Sequence, residues 1–192
     1  MGSLIAVSSI VQGIIGFGFA LIFVTVMFLI APSPDIIPLA LLSSFVVNTV
    51  LVVQLRHHID VKDTLWMVVA SVPGIAIGAG LLPFIDLQWM RWGIGFIILI
   101  AIGVNVLRIQ IVLINQRISQ MTAGFLSGIL ATLTSMGGPP LALFYLNHRV
   151  SKETFKANIV FFFFVSGIVI NGAYMVMGRY SSRYFDEYWP LY

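Results

Sequence analysis

The chain has 192 residues, of which 59% are hydrophobic and 9% charged, and its mean hydropathy is +1.03. That profile excludes an ordinary soluble domain and describes an all-α, polytopic membrane helical bundle. A formal net charge of +3, carried by basic residues scattered over short connections, excludes a nucleic-acid binder, and the absence of cysteine removes disulfides and thiolate metal sites.

Met1 to Pro34 carries no side-chain charge, so no basic segment of the kind that opens a removable signal peptide is present. The first apolar run, Leu4 to Ala31, is longer than a bilayer of about 30 Å requires. It is interrupted at Gln12-Gly13-Ile14-Ile15-Gly16-Phe17-Gly18, which predicts a broken or kinked helix. A Pro32–Asp35 turn leads to a second span over about Ile36 to Leu55, dotted with Ser43, Ser44, Asn48 and Thr49. A third is expected from about Thr64 to Leu82, with Pro73 and a small-residue row at Gly74 and Gly78 that lets another helix approach closely. A fourth runs from about Trp89 to Leu107, with Trp89 and Trp92 suited to the interfacial belt.

Residues 109–117 read as the middle connection. The fifth span begins near Ile118 and reaches Thr134-Ser135-Met136-Gly137-Gly138-Pro139-Pro140-Leu141, with no charge between Arg117 and His148. Pro139 and Pro140 lack backbone N–H groups and bias the preceding residues away from helix, so the fifth helix must break there. Proline also suits the first turn of a new helix, so a second half starting near Pro139 would point its amino end into the protein. Irregular backbone at that depth is tolerated where it is buried in protein or lines a cavity. After a polar turn at His148–Glu153, in which Ser151 is a cap candidate, a sixth span covers about Phe155 to Met177.

The order of parts repeats: a small-residue break, a short apolar arm, a turn, a polar-dotted helix and a basic exit. This predicts two halves, 1–108 and 118–192, joined by 109–117, with paired broken helices in the manner of transporters. The second half stops where the first continues with two more spans, so about two C-terminal helices, roughly 40 residues, are expected to be lacking relative to a complete duplication. One crossing per broken helix would make the halves parallel; re-entrant segments would change that. It would also place Arg56, Lys62, Arg108, Arg117, Arg179 and Arg183 on one side, and Arg91, Arg149, Lys152 and Lys156 on the other, favouring the first as cytoplasmic.

Gln12 to Leu21 together with Ser135 to Leu143 resembles the sulfite exporter TauE/SafE family of membrane permeases, and Lys156-Ala157-Asn158 with the Phe161–Phe164 run fits the second half of that family. The resemblance implies duplicated four-helix units in the cytoplasmic membrane and the movement of a small anion, such as a sulfur oxyanion or organosulfonate.

A buried anion needs replacement hydrogen bonds. Arg91 and Lys156 lie near predicted helix ends and can snorkel to the interface, so the expected donors are helix amino ends, glycine amides and neutral side chains. The candidate substrate site therefore comprises Gln12, Gly16, Phe17, Gly18, Asn48, Thr134, Ser135, Gly137, Gly138, Pro139, Pro140 and Leu141, with backbone donors expected at Phe17, Gly18, Gly138 and Leu141. The plainer alternatives are a kink made for packing at Gly-Gly-Pro-Pro, and asparagines at 48, 158 and 171 that only bridge helices. His57-His58 is either a solvated pair or a proton-coupling element. No cofactor or metal is expected, and no nucleotide-binding motif occurs. A proton or sodium ion is the candidate coupling ion, while oligomeric state is not legible. The competing functions are a non-transporting membrane scaffold, an anion channel and an intramembrane enzyme; histidines and acids confined to predicted loops argue against the last.

Overall fold

A computed structural model describes residues 2–31, 33–107, 115–147 and 150–180. Among them run α1 (Gly2–Ile15), α2 (Phe19–Ile30), α3 (Ile36–Leu55), α4 (Val61–Leu81), α5 (Leu87–Leu107), α6 (Gln116–Thr134), α7 (Gly138–Asn147) and α8 (Lys152–Val176), with 3-10 turns at Arg56–His58 and Leu82–Phe84. The described residues contain no strand. Residues 36–58, 61–84 and 152–176 are each long and apolar enough to cross a membrane.

Three helices start slightly earlier than their apolar patterns, because polar caps hold a further turn. The Asp60 carboxylate accepts from the Asp63 amide at 3.1 Å and starts α4. The Asn115 side chain accepts from the Arg117 amide at 2.9 Å and starts α6, and the Ser151 hydroxyl accepts from the Thr154 amide at 3.1 Å and starts α8. Each such cap is worth about 1 kcal/mol.

Helix directions follow from named contacts. α3 and α8 run antiparallel: the Asp60 amide, just past the end of α3, donates to Asn158 Oδ1 near the start of α8 at 2.8 Å. Midway along the same pair, the rings of Phe45 and Phe164 stack with centroids 5.7 Å apart and planes 6° from parallel. α4 and α6 run parallel and form the most extensive helix contact among the described residues. Gly74 and Gly78 of α4 lie against Phe125 and Ile129 of α6, while Gly124 and Gly128 of α6 lie against Met67 and Ser71 of α4. A side chain at any of the four would collide with or crowd the facing helix, so the predicted small-residue row has a partner row, and the two backbones approach closely.

The breaks are reversals of direction. Gly16 and Gly18 adopt φ of +92° and +117°, and Ser135 adopts +62°. These left-handed positions turn the chain back on itself. A Cβ on Gly18 would touch the Val11 side chain at 3.5 Å, and one on Gly137 would meet the Ala131 and Ser127 side chains at 2.8 and 2.9 Å. The α1–α2 hairpin has its open end near Ile36, Leu82 and Tyr174, in the core cluster that includes Met27 and Phe28. The α6–α7 hairpin has its open end opposite. There Gln116 Nε2 donates to Asp63 at 3.3 Å, and the Tyr145 hydroxyl lies 3.4 Å from that of Thr64. The two hairpins thus enter the bundle from opposite ends, called here the Asp86 end and the Asp60 end.

One crossing per broken helix is therefore corrected to none. A break made of left-handed residues folds the second arm beside the first, and Pro139 and Pro140 prevent α6 from continuing. The basic residues regroup accordingly. Arg56, Lys62, Arg117, Lys152 and Lys156 share the Asp60 end, while Arg91 and Arg179 lie at the other. Arg108, Arg149, Arg183 and most of the predicted 109–117 connection lie outside the described residues.

Candidate functional site where two hairpin tips meet

The two breaks, more than a hundred residues apart in sequence, are in contact. The half-buried ring of Phe17 lies over Gly138, where a Cβ would stand 2.5 Å from Phe17 Cδ2 and 3.1 Å from Cγ. Leu141, one turn into α7, is fully buried in the cluster against which Phe17 packs, with Phe144, Tyr145 and Ile159. Of the sequence candidates, Phe17, Gly138 and Leu141 thus form one constellation. Gly16 and Gly18 shape the first tip by their positive φ, and Pro139 and Pro140 occupy the first turn of α7.

The remaining candidates fall into two groups. Gln12 and Asn48 are both buried and engaged with each other: Gln12 Nε2 donates to Asn48 Oδ1 at 2.6 Å, and Asn48 Nδ2 donates to Ser44 Oγ at 3.3 Å. They tie the first hairpin to α3. Thr134 and Ser135 close the end of α6. The Thr134 hydroxyl donates to the Leu130 carbonyl at 2.7 Å and accepts from the Met136 amide at 3.2 Å, while the Ser135 amide donates to the Ala131 carbonyl at 2.9 Å. The carbonyl of buried Gly137 accepts a bond from Ser127 Oγ, a residue that sequence reasoning did not single out.

The two tips differ as donors. Helix geometry leaves the first amides without partners in their own helix. In α2 these belong to Phe19, Ala20 and Leu21, since the Ile22 amide is the first to bond back, to the Gly18 carbonyl at 3.1 Å. In α7 two of the corresponding positions are prolines and offer nothing. The amino end of α2 accordingly carries more amides without partners in their own helix than that of α7.

Toward the Asp60 end, polar contacts tie the arm of the second hairpin to the start of α4. The Thr64 hydroxyl donates to the Asp60 carbonyl at 2.9 Å and faces the Tyr145 hydroxyl. Asn158, fully buried, bridges helices as one of its sequence readings allowed, yet its Nδ2 has no partner. A cavity of about 620 Å³ opens at this end, with Asp63, Trp66, Gln116 and Arg117 among its lining residues and the Arg117 guanidinium 5.8 Å from the Trp66 ring centre. It is an open groove between the starts of α4 and α6 and lies apart from the hairpin crossing. No group of residues suited to a metal ion occurs among the described residues.

Membrane-length apolar helices, with two broken helices meeting tip to tip, define a helical membrane protein of the kind that handles solutes inside the bundle. The family model described as sulfite exporter TauE/SafE matches residues 1–186, and the chain belongs to that family. The family is one of membrane permeases for sulfite and related anions, transporters and not enzymes. No curated protein and no solved structure matches the chain.

Proposed function

We propose that this protein is a multi-pass permease of the cytoplasmic membrane that moves a small anion, a sulfur oxyanion, organosulfonate or similar small organic acid, by secondary transport past the crossing of its two hairpin tips. The observation that carries the reading is the contact of Phe17 with Gly138. It joins two interruptions that enter from opposite ends and brings the free amides of α2 into the interior. A bundle serving only as a scaffold gains nothing from two interrupted helices whose tips touch.

The hairpins and the α3–α8 pair form an inverted repeat in this reading. The same spacing along the chain separates the left-handed Gly16 from the left-handed Ser135 and Phe45 from its stacking partner Phe164. It also separates Ser8 from Ser127, both fully buried. Inverted repeats with paired discontinuous helices suit alternating access, in which one hairpin rocks against the other around a fixed site. Arg56, Lys62, Arg117 and Lys152 at the Asp60 end outnumber Arg91 and Arg179 at the other among the described residues, which favours the Asp60 end as cytoplasmic under the positive-inside rule.

The test is the melting temperature of the purified protein across sulfite, sulfate, thiosulfate, sulfoacetate, taurine and matched carboxylates. Ligand at about 100 times its dissociation constant stabilises by about 2.7 kcal/mol. A shift confined to one chemical group, and lost in Gly138→Val, supports the reading. No shift with any of these ligands in a folded sample overturns it. Saturation and counterflow in vesicles then separate a carrier from an anion channel.

A further inference from the structure

We propose that Ser8 is a positioning residue of the transport cycle, a latch that donates to the Gly18 carbonyl in a second state of the first hairpin tip. The proposal goes beyond the permease reading and rests on its inverted repeat. The two tips match position by position. α1 and α6 end at Ile15 and Thr134, and α2 and α7 begin at Phe19 and Gly138. Gly16 and Ser135 are both left-handed. Each closes the helix before it with the same bond, the Gly16 amide to the Gln12 carbonyl at 2.7 Å and the Ser135 amide to the Ala131 carbonyl at 2.9 Å. By the same spacing Ser8 answers to Ser127, and Gly18 to Gly137.

The match fails at one place. Ser127 Oγ donates to the Gly137 carbonyl. Ser8 is just as fully buried, yet its hydroxyl has no partner among the described residues. The backbone accounts for the difference. Gly18 stands at φ of +117°, whereas φ of Gly137 lies outside the left-handed region. The Gly18 carbonyl is aimed along α2, where it accepts from the Ile22 amide at 3.1 Å. A buried hydroxyl left unpaired is destabilising, and folded proteins satisfy nearly all such groups. The second tip shows the conformation that satisfies it. Rotation at Gly18 toward the conformation of Gly137 turns the carbonyl to Ser8 Oγ and releases the Ile22 amide. One hydrogen bond is exchanged for another, so the tip has two states of similar standing.

Alternating access in an inverted repeat moves one half against the other, and two halves built alike can trade conformations. Gly18 is the joint between α2 and Phe17, whose ring lies over Gly138, so a change of its φ is passed to the second tip. Crowding does not explain glycine at 18: a Cβ there would meet only the Val11 side chain, at an ordinary contact distance of 3.5 Å. The backbone conformation requires it.

The experiment is hydrogen exchange at the Ile22 amide of the whole protein, with melting temperature and vesicle flux of the anions named above measured alongside. In the latched state the Ile22 amide is unbonded, so its exchange reads the population of that state without substrate. Ser8→Ala should slow this exchange about threefold or more, leave the melting temperature unchanged or higher, and lower the maximal flux. Ser127→Ala, which loses a bond already formed, should lower the melting temperature instead. Gly18→Ala strains the present φ and should speed exchange at Ile22, and less so once Ser8 is also replaced by alanine. Unchanged exchange at Ile22 in Ser8→Ala overturns the latch. Faster exchange with a lower melting temperature assigns the Ser8 hydroxyl to packing and also overturns it. A wild type that carries none of these anions overturns the permease reading alone, since the exchange is read without them.

Discussion

The ring of Phe17 at the tip of one hairpin rests on the α-carbon of Gly138 at the tip of the other. Because the hairpins enter from opposite ends, this is a point where motion of one arm is felt by the other. It has room for an aromatic face on one side and for hydrogen only on the other.

Gly138→Val should therefore abolish transport while the protein still inserts and folds, and Gly137→Val, whose side chain would strike Ala131 and Ser127, should do the same. Overpacking of this kind costs about 1–3 kcal/mol. Phe17→Ala removes the atoms that meet the new side chain, so the Phe17→Ala, Gly138→Val double variant should recover part of the loss. Strict additivity in that cycle, measured by thermal unfolding and vesicle flux, would mean the two tips are not coupled.

The α4–α6 seam should respond differently. Gly74→Leu and Gly124→Leu place side chains against the backbones of Phe125 and Met67, and should reduce folded, extractable protein with no selective effect on transport. Gly80, whose Cβ would meet nothing within 4 Å, is the control: Gly80→Ala should be neutral or slightly stabilising. Equal loss in Gly80→Ala would point to a requirement for backbone flexibility in α4 in place of close packing.

The Gln12–Asn48 bond should be a moderate structural tie. Hydrogen bonds between membrane helices measure about 0.6 kcal/mol on average and reach about 1.7. The Gln12→Leu, Asn48→Leu cycle should return a coupling in that range. A larger coupling, seen only with substrate present, would move the pair into the binding site.

Directions of the helices can be tested without background, because the chain has no native cysteine. Single cysteines at the exposed positions His57, Lys152 and Asp86 should label with a membrane-impermeant reagent as two groups, His57 with Lys152 from one face and Asp86 from the other. Labelling of Lys152 together with Asp86 would restore the parallel arrangement and break the hairpin geometry. His57 and Lys152 should react from the cytoplasmic face.

The sequence alone determined that the chain lies in a membrane, where its apolar helices run to within about a turn, and where two of them break. Those are local matters. An apolar run has no other stable environment, Pro139 and Pro140 remove ladder donors wherever they stand, and Asp60, Asn115 and Ser151 cap the helices they precede. It located the small-residue row at Gly74 and Gly78 but not its partner row. The tertiary structure decided what each break does. A glycine pair marks where regular hydrogen bonding stops, but whether the next arm runs on or folds back depends on the surfaces that receive it. Here those surfaces are Ser127 and Ala131 for the second break, and α8 at Lys156 for the first. Their reversal sets α3 against α8, gathers the basic residues at one end, brings Phe17 to Gly138 and lays Lys156 over Gly16. These contacts join residues far apart in the chain, and no local propensity encodes them.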